Sequence, residues 1–275
     1  MKNVMMLAVA CTLLFAGCSG QERKAQAYLD KAEEAFSASR FNEAKLLIDS
    51  VKELYPKAFK ARRAGIGLMQ QVELKEQEVN LAYLDSVLQV CEARFDSLKG
   101  QFVLEKDTAY QEIGNWFYPS QTVEKNIGRS FLRGQVSEKG EMVLTSIYCG
   151  GRNIHHTAVK VSVNDLFAET PMSNDIYESS DLGTQIEKAD YKRGSDGGVI
   201  DFVAMYSKEN IKLEYVGERP YSVSMPVQDR KAIACLLELS NVLTEKEQVL
   251  ASQKEANQKI AFVKKRMSQR QAEAQ

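Results

Sequence analysis

Glycine and proline leave three long stretches of this chain untouched: Gln21 to Tyr55, Leu68 to Lys99 and Val227 to Gln275. Within them apolar residues recur at helical spacing, so all three are predicted to be helical. Leu74, Leu81, Leu84, Leu88, Cys91, Phe95 and Leu98 hold a heptad a and d register broken only by Gln77, with charged residues off the seam. Leu236, Leu239, Leu243, Leu250, Ile260 and Met267 fall in a second 3.5-residue register, interrupted by Lys246, Gln253, Asn257 and Lys264. One stripe enters the glycine-rich middle of the chain at Gly100 and the other leaves it near Pro226, so pairing them requires an antiparallel arrangement. At 1.5 Å per residue the stretch before Gly100 would make a stalk of about 48 Å.

The middle block alternates like strands. Phe131 to Val136 and Met142 to Tyr148 flank Ser137-Glu138-Lys139-Gly140, and Ile200 to Tyr206 and Ile211 to Val216 flank Ser207-Lys208-Glu209-Asn210; both read as hairpins. The fold class expected is α+β: an N-terminal helical hairpin, then long amphipathic helices flanking an antiparallel β-sandwich or barrel of about six to eight strands, with an antiparallel coiled-coil stalk as one arrangement of the helices. The divisions read along the chain are 1–17, 18–66, 67–99, 100–225 and 226–275: an N-terminal signal, a helical hairpin, a long helix, the β domain and a C-terminal helix that frays.

The signal rests on Lys2, the apolar run Val4 to Phe15, and small residues before Cys18. The apolar run is too short to span a bilayer. Phe15-Ala16-Gly17-Cys18 resembles the lipobox of bacterial lipoproteins, with Phe15 where an aliphatic residue is usual. The resemblance implies cleavage before Cys18 and acylation of that cysteine, which would tether the mature chain to a membrane. Ser19 after Cys18 resembles outer-membrane sorting in many Gram-negative bacteria, implying a lipid-anchored envelope protein with a periplasm-facing body.

The stretch from Gln21 to Pro56 resembles a single tetratricopeptide repeat. Ala44 sets the register, Tyr28 and Ala32 fall on first-helix sites, and Phe41, Ile48, Val51 and Pro56 take the remaining ones; Lys31 stands where leucine is usual. One unit of about 34 residues is too short for a solenoid, so the hairpin is expected to lean on the next helix. The resemblance implies protein–protein contact.

Composition adds little. The formal net charge is −1, which gives neither a basic nucleic-acid footprint nor an acidic tail. Cys91, Cys149 and Cys235 are an odd, widely spaced set and no disulfide framework. No nucleophile elbow, Walker loop, H-E-x-x-H or C-x-x-C is present, and no cofactor or metal is expected. The only histidines are adjacent. By strand alternation His155 shares a face with Val159, Val161 and Val163 and reads as buried or at a rim, while His156 reads as a surface residue. Arg193 to Gly198 reads as a turn, and Glu187, Asp190, Asp196 and Asp201 lack calcium-loop spacing.

Trp116, Phe117 and Tyr118 form the densest aromatic cluster. Exposed, they would contact a sugar or a protein partner; packed, they would fill a junction between the sheet and the helices. Three function classes follow. The leading one is a non-enzymatic envelope lipoprotein that scaffolds or adapts another envelope protein, held at the lipid bilayer by acylated Cys18. Next is a glycan- or peptidoglycan-binding module built on Trp116, Phe117 and Tyr118, and third a hydrolase with two unrecognised carboxylates.

Overall fold

The structure, a computed structural model, describes Lys2–Glu273, with side chains from Gly20 onward. The expected lipidation at Cys18 lies outside the described side chains. The architecture is α+β, with two antiparallel sheets that do not close into a barrel. The chain forms two compact units, Met1–Val87 with Ala251–Gln275, and Leu88–Leu250.

The first unit is helical and comprises α1 (Lys2–Ser37), α2 (Phe41–Leu54), the first part of α3 (Phe59–Lys99) and the last part of α5 (Val227–Glu273). The α1–α2 turn is closed by Arg40 N–H on Ala35 O at 2.8 Å, with Ser39 left-handed at φ 59°. Ala25, Ala32 and Ala35 on α1 and Ala44 on α2 are fully buried, and such small side chains let two helix backbones approach closely. Leu29, Ile48 and Val51 fill the seam, each contributing about 1.5–3 kcal/mol of apolar burial. Tyr28 and Phe41 sit at its rim, against Tyr55 and Phe36. Ala58, Ala61, Leu68 and Val72 of α3 complete the same cluster.

Sequence pattern places a break between Pro56 and Leu68, but α3 runs through Gly65 and Gly67. Gly65 lies under Leu29 and Ile48, and Gly67 leaves room for the Arg270 guanidinium. These close approaches offset the roughly 1 kcal/mol that each glycine costs a helix interior relative to alanine.

The second unit holds ten strands among the described residues. In chain order they are β1 (Val103–Glu105), β2 (Asn115–Phe117), β3 (Phe131–Ser137), β4 (Met142–Gly150), β5 (Ala158–Val163), β6 (Leu166–Glu169), β7 (Ile176–Asp181), β8 (Thr184–Lys192), β9 (Lys212–Val216) and β10 (Tyr221–Ser224). One sheet runs β1-β2-β3-β4-β8-β7 and the other β10-β9-β5-β6. The β3–β4 hairpin forms where the pattern puts it, with Val136 opposite Met142.

Inward residues alternate along each central strand: Met142, Leu144, Ser146 and Tyr148 on β4; Val159, Val161 and Val163 on β5; Leu213 and Tyr215 on β9. Both sheets share one core with Ile233, Leu236, Leu239 and Leu243 of α5. At the start of α5, Arg129 clamps the buried Asp229 carboxylate with two hydrogen bonds of 2.8 and 2.9 Å.

The strand count among the described residues is ten rather than the six to eight expected, the extra ones being short strands such as β1 and β2, and two further expectations fail. Ile200 to Tyr206 is no strand: α4 (Val199–Met205) forms instead, burying Val199, Ile200 and Val203, which are spaced for one helical face. Its amino end is satisfied by Asp196, whose carboxylate accepts Gly194 N–H at 3.0 Å and Ile200 N–H at 2.8 Å.

The second failure concerns α5. Val242 and Leu243 are both buried, but beyond them the buried positions are Val249, Ala256 and Val263, one residue before the Leu250–Asn257–Lys264 continuation of the expected register. Asn257 and Lys264 are exposed and so do not interrupt the buried stripe. On α3 the expected stripe stays inward, with Leu84 and Cys91 buried and Leu74, Leu81, Leu88, Phe95 and Leu98 half-buried. Within each unit α3 and α5 run antiparallel: Arg63 O meets Arg270 and Asp85 meets Gln253 in the helical unit, while Glu92 meets Lys246 and Arg94 meets Glu245 in the other. Among the described residues, no helix is long and apolar enough to cross a membrane.

Candidate functional site

The aromatic cluster is packed into the protein's own core. Trp116 lies on β2 between Leu104 and Val136 of the neighbouring strands, half-buried, with its ring edge-on to Phe95 at 5.8 Å. Phe117 is buried beneath the Arg133 guanidinium, 4.2 Å from its ring centre, and Tyr118 meets Phe102 at 6.1 Å. Trp116 and Tyr118 pack at the junction of Phe95, Phe102 and the six-stranded sheet, while Phe117 is covered on the other face by Arg133, so the three rings form no common stacking platform. Trp116→Ala should therefore act on folding, lowering stability by about 3 kcal/mol. Chemical denaturation of the full chain measures this, and an unchanged midpoint would contradict the junction role.

The most elaborate polar constellation involves the histidines, with their predicted roles exchanged. His156 is fully buried, whereas the His155 side chain is 47% exposed. The alternation argument fails because β5 starts only at Ala158 and His155 is left-handed at φ 52°, which breaks strand parity before the pair.

His156 Nδ1 lies 2.9 Å from Glu187 Oε2, and its Nε2 lies 2.8 Å from Ser146 Oγ. Glu187 Oε1 accepts the backbone N–H groups of Ile154 and His155 at 2.7 and 3.0 Å, and Oε2 also accepts that of His156 at 2.9 Å. Tyr215 stands perpendicular to the imidazole at 5.3 Å. Burial alone would push the Glu187 carboxyl up; the N–H of His156, its imidazole, and the N–H groups of His155 and Ile154 outweigh it and hold the carboxyl below its ordinary value.

By its spacing alone Glu187 is only one of four acids that do not form a calcium loop. Its position had a readable signal: it shares strand parity with Ala189 and Tyr191, both buried on β8. Ser146 likewise shares the inward face of β4 with Met142, Leu144 and Tyr148.

The order serine, histidine, carboxylate has the connectivity of an acyl-transfer relay. Its surroundings are those of a clasp. Ser146, His156 and Glu187 all have zero exposure. Three clefts open elsewhere: beside α2 and α3, beside Gly140 and Thr244, and beside Phe167 and Tyr206. Ser146 Oγ also reaches Ala189 O at 3.3 Å. Ser146 Oγ is closed off from solvent, and the neighbouring N–H groups of Ile154, His155 and His156 all donate to Glu187 rather than facing the serine. The arrangement ties the segment between β4 and β5 to β8.

A metal site is no better served. His155 Nδ1 and oxygens of Glu178 and Glu187 lie within 4.8 Å of one another. Both Glu187 oxygens already accept two hydrogen bonds each, so a cation would have to displace backbone donors. His155 pairs with Glu178 at 2.9 Å, and that hydrogen bond raises its pKa. Cys91, Cys149 and Cys235 are free thiols, each pushed up by burial and correspondingly unreactive. Comparison with protein-family models, curated proteins and solved structures finds no match.

Proposed function

We propose that this chain is a non-enzymatic cell-envelope lipoprotein, tethered to the bilayer through acylated Cys18 and acting as a scaffold or adaptor for another envelope protein. The observation that carries the reading is the apolar run ending in Phe15-Ala16-Gly17-Cys18. The body would face the periplasm from the outer membrane, with α3 and α5 pairing as an antiparallel coiled coil. Two features support a role without catalysis: the Ser146–His156–Glu187 relay is sealed, and the Arg193–Gly198 turn spends Asp196 on capping α4. The glycan-binding alternative loses support because Trp116, Phe117 and Tyr118 are engaged with Phe95, Arg133 and Phe102.

Crosslinking in the intact envelope, followed by capture of the full chain, tests the adaptor role. One protein recovered repeatedly, and lost from the same chain after denaturation, is the expected result. Recovery of glycan fragments without a protein partner would contradict it.

A further inference from the structure

The formal charge of −1 conceals a strongly polarised helical unit. From Leu54 to Val72 the chain contains no aspartate or glutamate but carries Lys57, Lys60, Arg62 and Arg63; from Ala256 to Ala272 it again has no acid and carries Lys259, Lys264, Lys265, Arg266 and Arg270. Arg23 and Lys24 add two exposed cations midway along α1. The fold gathers these segments at one end of the unit. Glu22 Oε1 accepts the N–H of Ala61 at 2.8 Å, bringing α1 to the start of α3, and Arg270 donates to Arg63 O at 3.0 Å, bringing the end of α5 to the same place.

Beside this pole lies a cleft of about 780 Å³ lined by five cations, Lys52, Lys60, Arg62, Arg63 and Arg266, against two acids, Asp49 and Glu73, with Phe59 at its wall. Phe59 is 73% exposed among the cations. Clustered Lys and Arg side chains around an exposed aromatic ring suit a headgroup layer, where the cations meet phosphates and the ring enters the acyl boundary. We infer that this basic pole seats the helical unit on the phosphate headgroups of an anionic phospholipid bilayer.

A lipid surface fits better than an acidic peptide because of where the pole lies. Cys18 precedes Glu22 by four residues, which reach at most about 14 Å even when extended. A bilayer holding Cys18 is thus close to the cations for any path of the intervening chain. This orientation rests on the proposed tether; the affinity for anionic lipid does not.

The test uses the full chain and vesicles of phosphatidylcholine with or without phosphatidylglycerol, reading the ratio of bound fractions by co-sedimentation. The apolar N-terminal run contributes equally to both vesicle types, so the ratio isolates the electrostatic part. A juxtamembrane cation contributes about fivefold to partitioning. The triple variant Lys57→Gln/Lys60→Gln/Arg63→Gln, all at exposed side chains, should lower the ratio on the order of a hundredfold. High salt should bring the native chain's ratio toward one, a reading that needs no variant to fold. Cys18→Ala should leave the ratio unchanged, which separates this inference from the tether. A native ratio near one at low salt, or an undiminished ratio in a folded triple variant, would overturn the proposal.

Discussion

Glu187→Ala should destabilise the β-containing unit by about 3–5 kcal/mol, and lower its melting temperature by on the order of 10 °C. The substitution removes one carboxylate but strands four donors: the N–H groups of Ile154, His155 and His156, and the His156 imidazole. Those of Ile154 and His156, backbone and ring, are buried and would be left without an acceptor. The effect should depend on pH in a definite direction. Because the folded-state pKa of Glu187 is depressed, its contribution is fully present above the unfolded carboxylate value of about 4.3 and is lost as pH falls through the folded value. Native and variant stabilities should therefore converge in acid. Urea melts at neutral pH and at progressively lower pH measure both parts; a variant as stable as the native chain at pH 7 would refute the clasp.

Val249→Asp and Leu250→Asp should differ sharply although they are neighbours. Val249 is 7% exposed and Leu250 38% exposed. An aspartate at Val249 places an unpaired charge against the buried stripe and should cost more than about 3 kcal/mol, whereas Leu250→Asp should stay within about 1 kcal/mol. Thermal melts of both variants decide the register of α5. Equal losses, or a larger loss at Leu250, would restore the register read from the pattern alone.

That pair also shows why α5 was only half legible. Apolar residues stand side by side at Val242-Leu243 and Val249-Leu250, so two registers fit equally well until Ala256 and Val263 choose between them. Both residues of the first doublet are buried, but in the second Val249 is buried and Leu250 is not. On α3 Tyr83-Leu84 and Val90-Cys91 are doublets too, but Leu74, Leu81, Leu88, Phe95 and Leu98 extend only the register of Leu84 and Cys91, so the stripe could be read directly. The α4 segment failed for a related reason: Val199-Ile200-Asp201-Phe202-Val203 is too short for period alone to separate strand from helix, and the deciding signal was the cap at Asp196.

For the candidate sites, the aromatic cluster was visible but its exposure was not, since that depends on Phe95 and Phe102 arriving from elsewhere in the chain. The His156 clasp was hidden by one left-handed residue, His155, that no alternation rule anticipates. The basic pole disappeared into a net charge averaged over the whole chain. It emerges only when the middle of α1, the start of α3 and the end of α5 are brought together.

The tether remains the center of the functional reading, and Cys18→Ala tests it most directly. In the native host, metabolic labelling with a radiolabelled fatty acid, followed by membrane fractionation, should show an acylated native chain in the membrane fraction. The variant should be unlabelled and accumulate as an uncleaved precursor, because neither acyl attachment nor the cut before position 18 can occur. Equal labelling and unchanged processing in native and variant chains would contradict the lipoprotein account at its base.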